Sequence, residues 1–161
     1  MSKVRYPLQD LVTVRRIRED AAKRAVSQAR NDLAAARRRV EEAREACERF
    51  RVWRIEEEKR SFERIERRDI SLERLEEQKQ EVRVLRDQQG EHEQAILDAE
   101  AEVVACERRL AERTSEHRTA QKDLEKLEEH RQIWSDEQAG ILARKEEDEM
   151  DDFRVAPRVA P

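Results

Sequence analysis

The chain has 161 residues, of which 46% are charged and 4% aromatic, and its formal net charge is −4. This composition is typical of long charged helices and differs from that of a globular domain, so the apolar residues suffice for one seam between two helices and for no second core. No run approaches the ~20 apolar residues that a membrane span needs, and no signal peptide opens the sequence, so we expect a cytoplasmic protein without membrane insertion.

The first predicted element is a long helix with a coiled-coil seam. From Leu8 to Ala139 the sequence contains no proline and one glycine. Apolar residues recur alternately three and four apart, and this spacing keeps one narrow stripe facing a partner helix. The seam residues of this first arm are Ala22, Val26, Ala29, Leu33, Ala36, Val40, Ala43, Cys47 and Phe50.

The apolar spacing of the first arm falters after Phe50, because the next seam positions hold Arg54 and Glu57. We therefore expect a phase change that locally unwinds the supercoil and turns Trp53 and Phe62 toward its flank. An exposed Trp on a charged helix is a candidate anchor for a partner. The alternative is that Trp53 folds over its own seam and widens it. Trp53, Arg54 and Phe62 are the partner-binding candidates of this stretch.

A turn is predicted near residues 66–71, where the heptad pattern breaks and Ser71 can cap a following helix. Gly90 is the rival position. In an antiparallel hairpin, the numbers of two facing residues always add up to the same sum. A sum of 139 sets large residues against small ones, such as Leu33 against Cys106. A sum of 146, one heptad away, also alternates large and small residues, so both registers stay open.

The second arm repeats the seam with more polar positions. Its apolar members are Leu75, Val82, Leu85, Ile96, Ala99, Val103, Cys106, Leu110, Ala120, Leu124, Leu127 and Trp134. The intervening positions hold Gln78, Gln89, His92, Arg113, His117 and Arg131. Both cysteines lie on the seam, where Cys acts as a small apolar residue, and neither register pairs Cys47 with Cys106. We expect no disulfide between them.

The second arm continues past the start of the first, and this overhang holds Trp134, Ile141 and Leu142 before an acidic run. Basic residues at the start of the first arm could form a contact with an acidic partner, or could simply pair with the second arm. They are Arg15, Arg16, Arg18 and Lys23. Residues 154–161 repeat the sequence Arg-Val-Ala-Pro, which predicts a disordered tail after a single helical domain over residues 1–153.

The charges of the two arms are opposite. Residues 1–70 contain 20 Lys and Arg against 14 Asp and Glu, whereas residues 71–161 contain 15 against 25. The net charges are +6 and −10, and flanking charges of opposite sign select the partner and orientation in coiled coils. The predicted fold is therefore all-α, with two long antiparallel helices forming a coiled-coil hairpin within one chain.

The sequence offers no pattern for catalysis, for a metal or for a cofactor. None of the three histidines lies three or four residues from another His or from a Cys, and the chain has two glycines in total. Two other kinds of function stay open. One is a dimerising coiled-coil scaffold, and the other is a zipper-like DNA-binding protein, which the cluster Arg37–Arg39 suggests. Those arginines flank seam residues inside the coiled coil, which disfavours nucleic-acid binding.

Three stretches of the sequence resemble a known family. They are Val4–Leu8 at the start, RVWRIEEEKRSF from Arg51 to Phe62, and the segment from His130 to Phe153. Together, and in this order, they resemble the YscO/SctO stalk proteins of bacterial type III secretion systems, and the resemblance covers nearly the whole chain. The final Val-Ala-Pro repeat does not belong to that family's pattern.

The resemblance implies a helical hairpin related to the flagellar FliJ protein. Such proteins lie in the cytoplasm beneath the export gate of the inner membrane. The resemblance implies that the end with both termini enters the hexameric secretion ATPase, and that other parts contact the cytoplasmic domain of the export gate and secretion chaperones. The partner-binding residues predicted above are then expected to serve these contacts.

Overall fold

The protein is a hairpin of two long α-helices. A computed structural model describes residues 4–67 and 69–155. Helix α1 spans Gln9–Glu66 and helix α2 spans Leu72–Val155, and the two pack against each other. The residues described contain no strand. The all-α hairpin predicted from the seams and charges is confirmed.

The turn lies where the sequence predicts it, between Glu66 and Leu72. Ser71 caps α2, because its Oγ accepts a hydrogen bond from the backbone N–H of Arg74 at 3.3 Å. The Ser71 carbonyl also accepts bonds from the N–H groups of Arg74 and Leu75, at 3.2 and 3.3 Å. Gly90, the rival turn, lies inside α2 and does not have a positive φ.

Helix α2 runs two residues further than predicted, through Arg154 and Val155. Arg154 and Val155 can both continue a helix, because each has the backbone N–H that a helical hydrogen bond needs and that proline lacks. The rest of the predicted disordered tail, residues 156–161, lies outside the residues that the structure describes.

The contacts divide the chain into two compact units. Unit 1 comprises Met1–Ala25 and Thr114–Pro161, and unit 2 comprises Val26–Arg113. Each unit contains part of α1 and part of α2. The expectation that residues 1–153 form one domain stays a prediction.

The core of unit 2 selects one of the two registers. Leu33, Ala36 and Cys106 form a buried cluster, and Val103 and Leu110 pack against it. Leu33 with Cys106, and Ala36 with Val103, both give a sum of 139. In the alternative register Cys106 would face Val40, which is buried but lies outside this cluster. The hairpin therefore has the register with a sum of 139.

After Phe50 the α1 side of the seam becomes polar, and the phase change predicted there is absent. Arg54, Glu57 and Ser61 are at least partly buried and keep the three- and four-residue spacing. The charges are tolerated because Arg54 donates a 2.7 Å bond to Glu58, one turn along the same helix. The seam of α1 thus continues with polar residues in place of apolar ones.

Unit 1 combines one fully buried apolar residue with a partly buried polar layer. Val12 has an exposed fraction of 0%. Two residues on the same face of α1, Arg15 and Glu19, are half-buried. Glu19 lies 2.8 Å from Nε2 of His117, and Arg15 lies 3.0 Å from Asp123. This part of the seam is held by polar contacts between α1 and α2.

Ion pairs beside the seam occur in each of the two units. Each pair joins α1 to α2, each residue directly follows a seam residue, and the two residue numbers always add up to 144. The pairs are Arg16–Glu128 in unit 1, and Arg37–Glu107, Arg44–Glu100 and Glu58–Arg86 in unit 2. Surface ion pairs of this kind contribute little to stability, so they set orientation more than stability.

Candidate interaction surfaces

The basic residues predicted at the start of α1 divide into two groups. Arg15 and Arg16 are bonded to Asp123 and Glu128 of α2, at 3.0 and 3.1 Å. Arg18 and Lys23 are exposed and form no ion pair within 4 Å among the residues described. The exposed pair has free charge for a partner, whereas the first two arginines already neutralise carboxylates of α2.

Trp134 joins the start of the chain to α2. Its ring centroid lies 5.4 Å from that of Tyr6, and the Tyr6 hydroxyl lies 2.6 Å from Nδ1 of His130. Tyr6 is buried, with an exposed fraction of 6%, and Trp134 is partly buried. Trp134 therefore has a clear packing role within unit 1. The contact of Tyr6 with His130 and Trp134 was not predicted from the sequence. Tyr6 precedes α1, so it does not belong to the apolar spacing from which the seam residues were identified.

The C-terminal part of α2 is exposed along its whole length. Every residue from Ala139 to Arg154 is exposed, although the segment carries four large apolar side chains. Their exposed fractions are 44% for Ile141, 57% for Leu142, 61% for Met150 and 86% for Phe153. We call residues 139–154 the terminal segment.

The terminal segment is amphipathic and acidic. The spacings of eight and three residues place Leu142, Met150 and Phe153 on one face of the helix. From Arg144 to Arg154 the sequence holds six acidic and three basic residues. Sequence reasoning found Ile141 and Leu142 but missed Met150 and Phe153, which their helical spacing to Leu142 could have revealed.

In unit 2, Trp53 is half exposed, at 48%, and its ring centroid lies 5.4 Å from that of Phe50. Phe50 in turn lies on the ring of His92, at 4.7 Å. The indole thus widens the seam on one side and offers its other side to solvent. Arg54 is different, because its side chain is 17% exposed and bonded to Glu58, which leaves it little surface for a partner.

Phe62 is 60% exposed and lines an open groove between the helices. The groove is also lined by Leu75, Gln78, Lys79, Val82, Arg83, Arg86 and Asp87. Its basic residues come from α2, whose net charge is negative. The net charge of the arm therefore did not predict a local basic cluster.

In the regular part of unit 2 the charges are satisfied internally. The Arg109 guanidinium donates a 2.6 Å bond to Glu102 and holds the pKa of that carboxyl below its ordinary value, with a smaller effect from the Cys106 thiol. The folded state therefore favours the carboxylate, and this stabilisation is present above the ordinary pKa and is lost as the pH falls. Both groups are exposed, so the contribution is small.

The side chains described contain neither a disulfide nor a metal-binding cluster. The thiols of Cys47 and Cys106 are free and buried in the seam. Among residues 4–67 and 69–155 no group of three or more His, Cys, Asp or Glu side chains could hold a metal ion. Neither helix, over the residues described, is long and apolar enough to cross a membrane.

Comparison with known proteins agrees with the resemblance seen in the sequence. The family model of the type III secretion protein YscO matches residues 8–156. The crystal structure of YscO from Vibrio parahaemolyticus is 27% identical, covering 91% of this chain and 92% of that one, with a TM-score of 0.83. No curated protein matches the sequence.

A second solved structure shows the same fold. It is a protein from Chlamydia trachomatis proposed to be a YscO homologue, 24% identical, with a TM-score of 0.72. The alignment covers 94% of this chain and 93% of that one. Because the family model spans almost all of the hairpin, the chain belongs to the YscO family of type III secretion proteins.

Proposed function

We propose that the protein is the stalk of a type III secretion apparatus, which binds the hexameric secretion ATPase and couples it to the export gate. Family membership supports a role in secretion. The observation that carries the ATPase contact is the terminal segment, whose apolar residues are all exposed although the helix continues through them. Apolar side chains exposed in a row mark a site of protein–protein contact.

The stalk acts by differential contact. A stiff, asymmetric helical pair touches the subunits of a ring unequally, and a ligand shifts an equilibrium only through such differences in affinity. The protein is then a binding component with no catalytic role of its own. Its proposed location is the cytoplasm, at the periphery of the inner-membrane export apparatus.

The exposed residues of unit 1 supply the ATPase contact in this proposal. Leu142, Met150 and Phe153 provide the apolar part, and Arg18 and Lys23 provide free positive charge. Arg15 and Arg16 are poorer candidates, since a change there would also break bonds to α2.

The contact with the export gate is assigned to Trp53 of unit 2, whose exposed indole face is suited to anchor a partner. Secretion chaperones are further proposed partners.

Binding to nucleic acid has weaker support. Arg37, Arg44, Arg15 and Arg16 each bond to a carboxylate of α2, so much of the positive charge of α1 is neutralised within the hairpin. Phosphate contacts require free cations.

A pull-down from secreting cells tests the proposal. The tagged chain is expected to recover the secretion ATPase and the export gate. Leu142→Ala with Phe153→Ala should lose the ATPase and keep the gate, whereas Trp53→Ala should do the reverse. Leu97→Ala is the matched control, because Leu97 and Leu142 are both 57% exposed. Recovery of neither partner by the folded wild-type chain would contradict the proposal.

A further inference from the structure

The groove beside Phe62 has an apolar floor. Phe62 of α1 is 60% exposed, and Leu75 and Val82 of α2 are partly buried beside it. Ile55 lies seven residues before Phe62, on the same side of α1, and is 45% exposed. Phe62, Leu75 and Val82 line the groove in unit 2, and together with Ile55 we call them the apolar strip.

The rim of the groove is basic. Lys79, Arg83 and Arg86 line it, against one acidic residue, Asp87. Lys79 and Arg83 form no ion pair within 4 Å among the residues that the structure describes. Their charge is therefore free to meet a partner.

Arg86 also keeps much of its charge. Its only recorded partner among the described residues is Glu58, at 3.5 Å. The same Glu58 oxygen accepts a shorter bond from Arg54, at 2.7 Å, and its side chain is 14% exposed. Because Arg54 compensates that carboxylate, Arg86 adds to the positive rim, and its side chain is 67% exposed.

A buried donor lies beneath the same groove. Gln78 lines it with an exposed fraction of 5%, and its Nε2 has no hydrogen-bond partner among the residues described. A buried donor without a partner destabilises the fold, because it has lost its hydrogen bonds to water and gained none in return. An acceptor that enters beside Phe62, after rotation of the Gln78 amide, would remove this cost.

We propose that the groove binds an acidic amphipathic helix of a partner protein. The apolar strip matches the apolar face of such a helix, on which anchors recur at three, four and seven residues. The free cations match glutamates along its edges, and a glutamate oxygen supplies the acceptor for Gln78. Phe62 is the central anchor, since aromatic residues at the centre of an interface contribute most to affinity. This surface is separate from the terminal segment, and its test does not depend on the ATPase.

The test is fluorescence anisotropy with the full chain and two designed helical peptides. Both peptides carry leucines at seam spacing, and their outward positions are all glutamate in one and all lysine in the other. The glutamate peptide should bind and the lysine peptide should not. Phe62→Ala should weaken binding at least about tenfold. Val84→Ala, at an exposed position of α2 that does not line the groove, should leave it unchanged.

Charge reversal sharpens the result. Lys79→Glu with Arg83→Glu should abolish binding of the glutamate peptide and create binding of the lysine peptide, while Arg38→Glu should do neither. Circular dichroism checks that each variant is folded. Equal binding of both peptides, or no effect of Phe62→Ala, would overturn the proposal. So would Phe62-dependent flotation on anionic vesicles without peptide binding, or Phe62-dependent dimerisation, because a membrane or a second copy would then occupy the groove.

Discussion

At the scale of single residues, the polar positions of the seam decide how evenly the hairpin is stabilised. The cluster around Leu33, Ala36 and Cys106 is apolar and buried. By contrast, Arg54, Gln78 and Gln89 each have a buried polar atom without a hydrogen-bond partner among the residues described. Each such atom costs about 1 to 3 kcal/mol. The stretch of unit 2 that contains them is therefore the less stable part of its seam.

Gln78 allows a direct test of this view. Gln78→Met keeps the shape of the side chain and removes the unpaired amide, so it should raise the free energy of unfolding by about 1 kcal/mol. Gln80→Met is the control, since Gln80 is exposed on the same helix, and should change it by less than about 0.5 kcal/mol. Urea unfolding measures both variants. A destabilising Gln78→Met would mean that the amide is paired.

Sequence reasoning was strongest on residues whose position follows from spacing. It placed Cys47 and Cys106 on the seam, and both are buried. It expected a phase change at Arg54, which does not occur, because a bond between Arg54 and Glu58 lets charged residues stay on the seam. Such pairing depends on how two side chains meet, and apolar periodicity carries no information about it.

At the scale of elements, the helix ends were predictable and the continuity of α2 was the open question. Ser71 has the side chain of a helix cap and acts as one. Gly90 could have ended a helix, yet it lies within α2, and a Cβ added there would meet no atom within 4 Å. A glycine inside a helix costs only about 1 kcal/mol relative to alanine, which packing along a long seam can offset.

Gly90→Ala should therefore stabilise the protein by about 1 kcal/mol, since it improves helix propensity without a clash. Thermal and urea unfolding measure the change. Gly140→Ala is the comparison, because Gly140 lies in the exposed terminal segment, where local helix formation contributes less to global unfolding. A destabilised Gly90→Ala would indicate that the backbone at this position is not helical.

At the scale of the whole molecule, the fold could be predicted from three features acting together: two seams, a break between them and opposite charges on the two arms. The register could not, because sums of 139 and 146 both set large residues against small ones. The structure selects the first through the cluster of Leu33, Ala36 and Cys106. Partner surfaces were predictable only in part. Whether an apolar side chain of one helix is exposed depends on which residues of the other helix cover it, and this follows from the register.

Disulfide trapping tests the register and the hairpin at once. In a Cys47→Ala background, Leu33→Cys should cross-link to Cys106 under mild oxidation, because the two positions face each other. Val40→Cys should not, since it faces Cys106 only in the other register. Non-reducing electrophoresis should show a cross-linked monomer. A cross-linked dimer would mean that two chains pair, and cross-linking of Val40→Cys alone would mean a shifted register.

If the hairpin acts on a secretion ATPase, the hydrolysis rate of the purified cognate hexamer should change when the chain is present at saturation. We expect the wild-type chain to raise that rate, and Leu142→Ala with Phe153→Ala to lose the effect. Leu97→Ala, equally exposed in unit 2, should retain it. An unchanged rate with folded wild-type chain, or full stimulation by the double variant, would contradict the account.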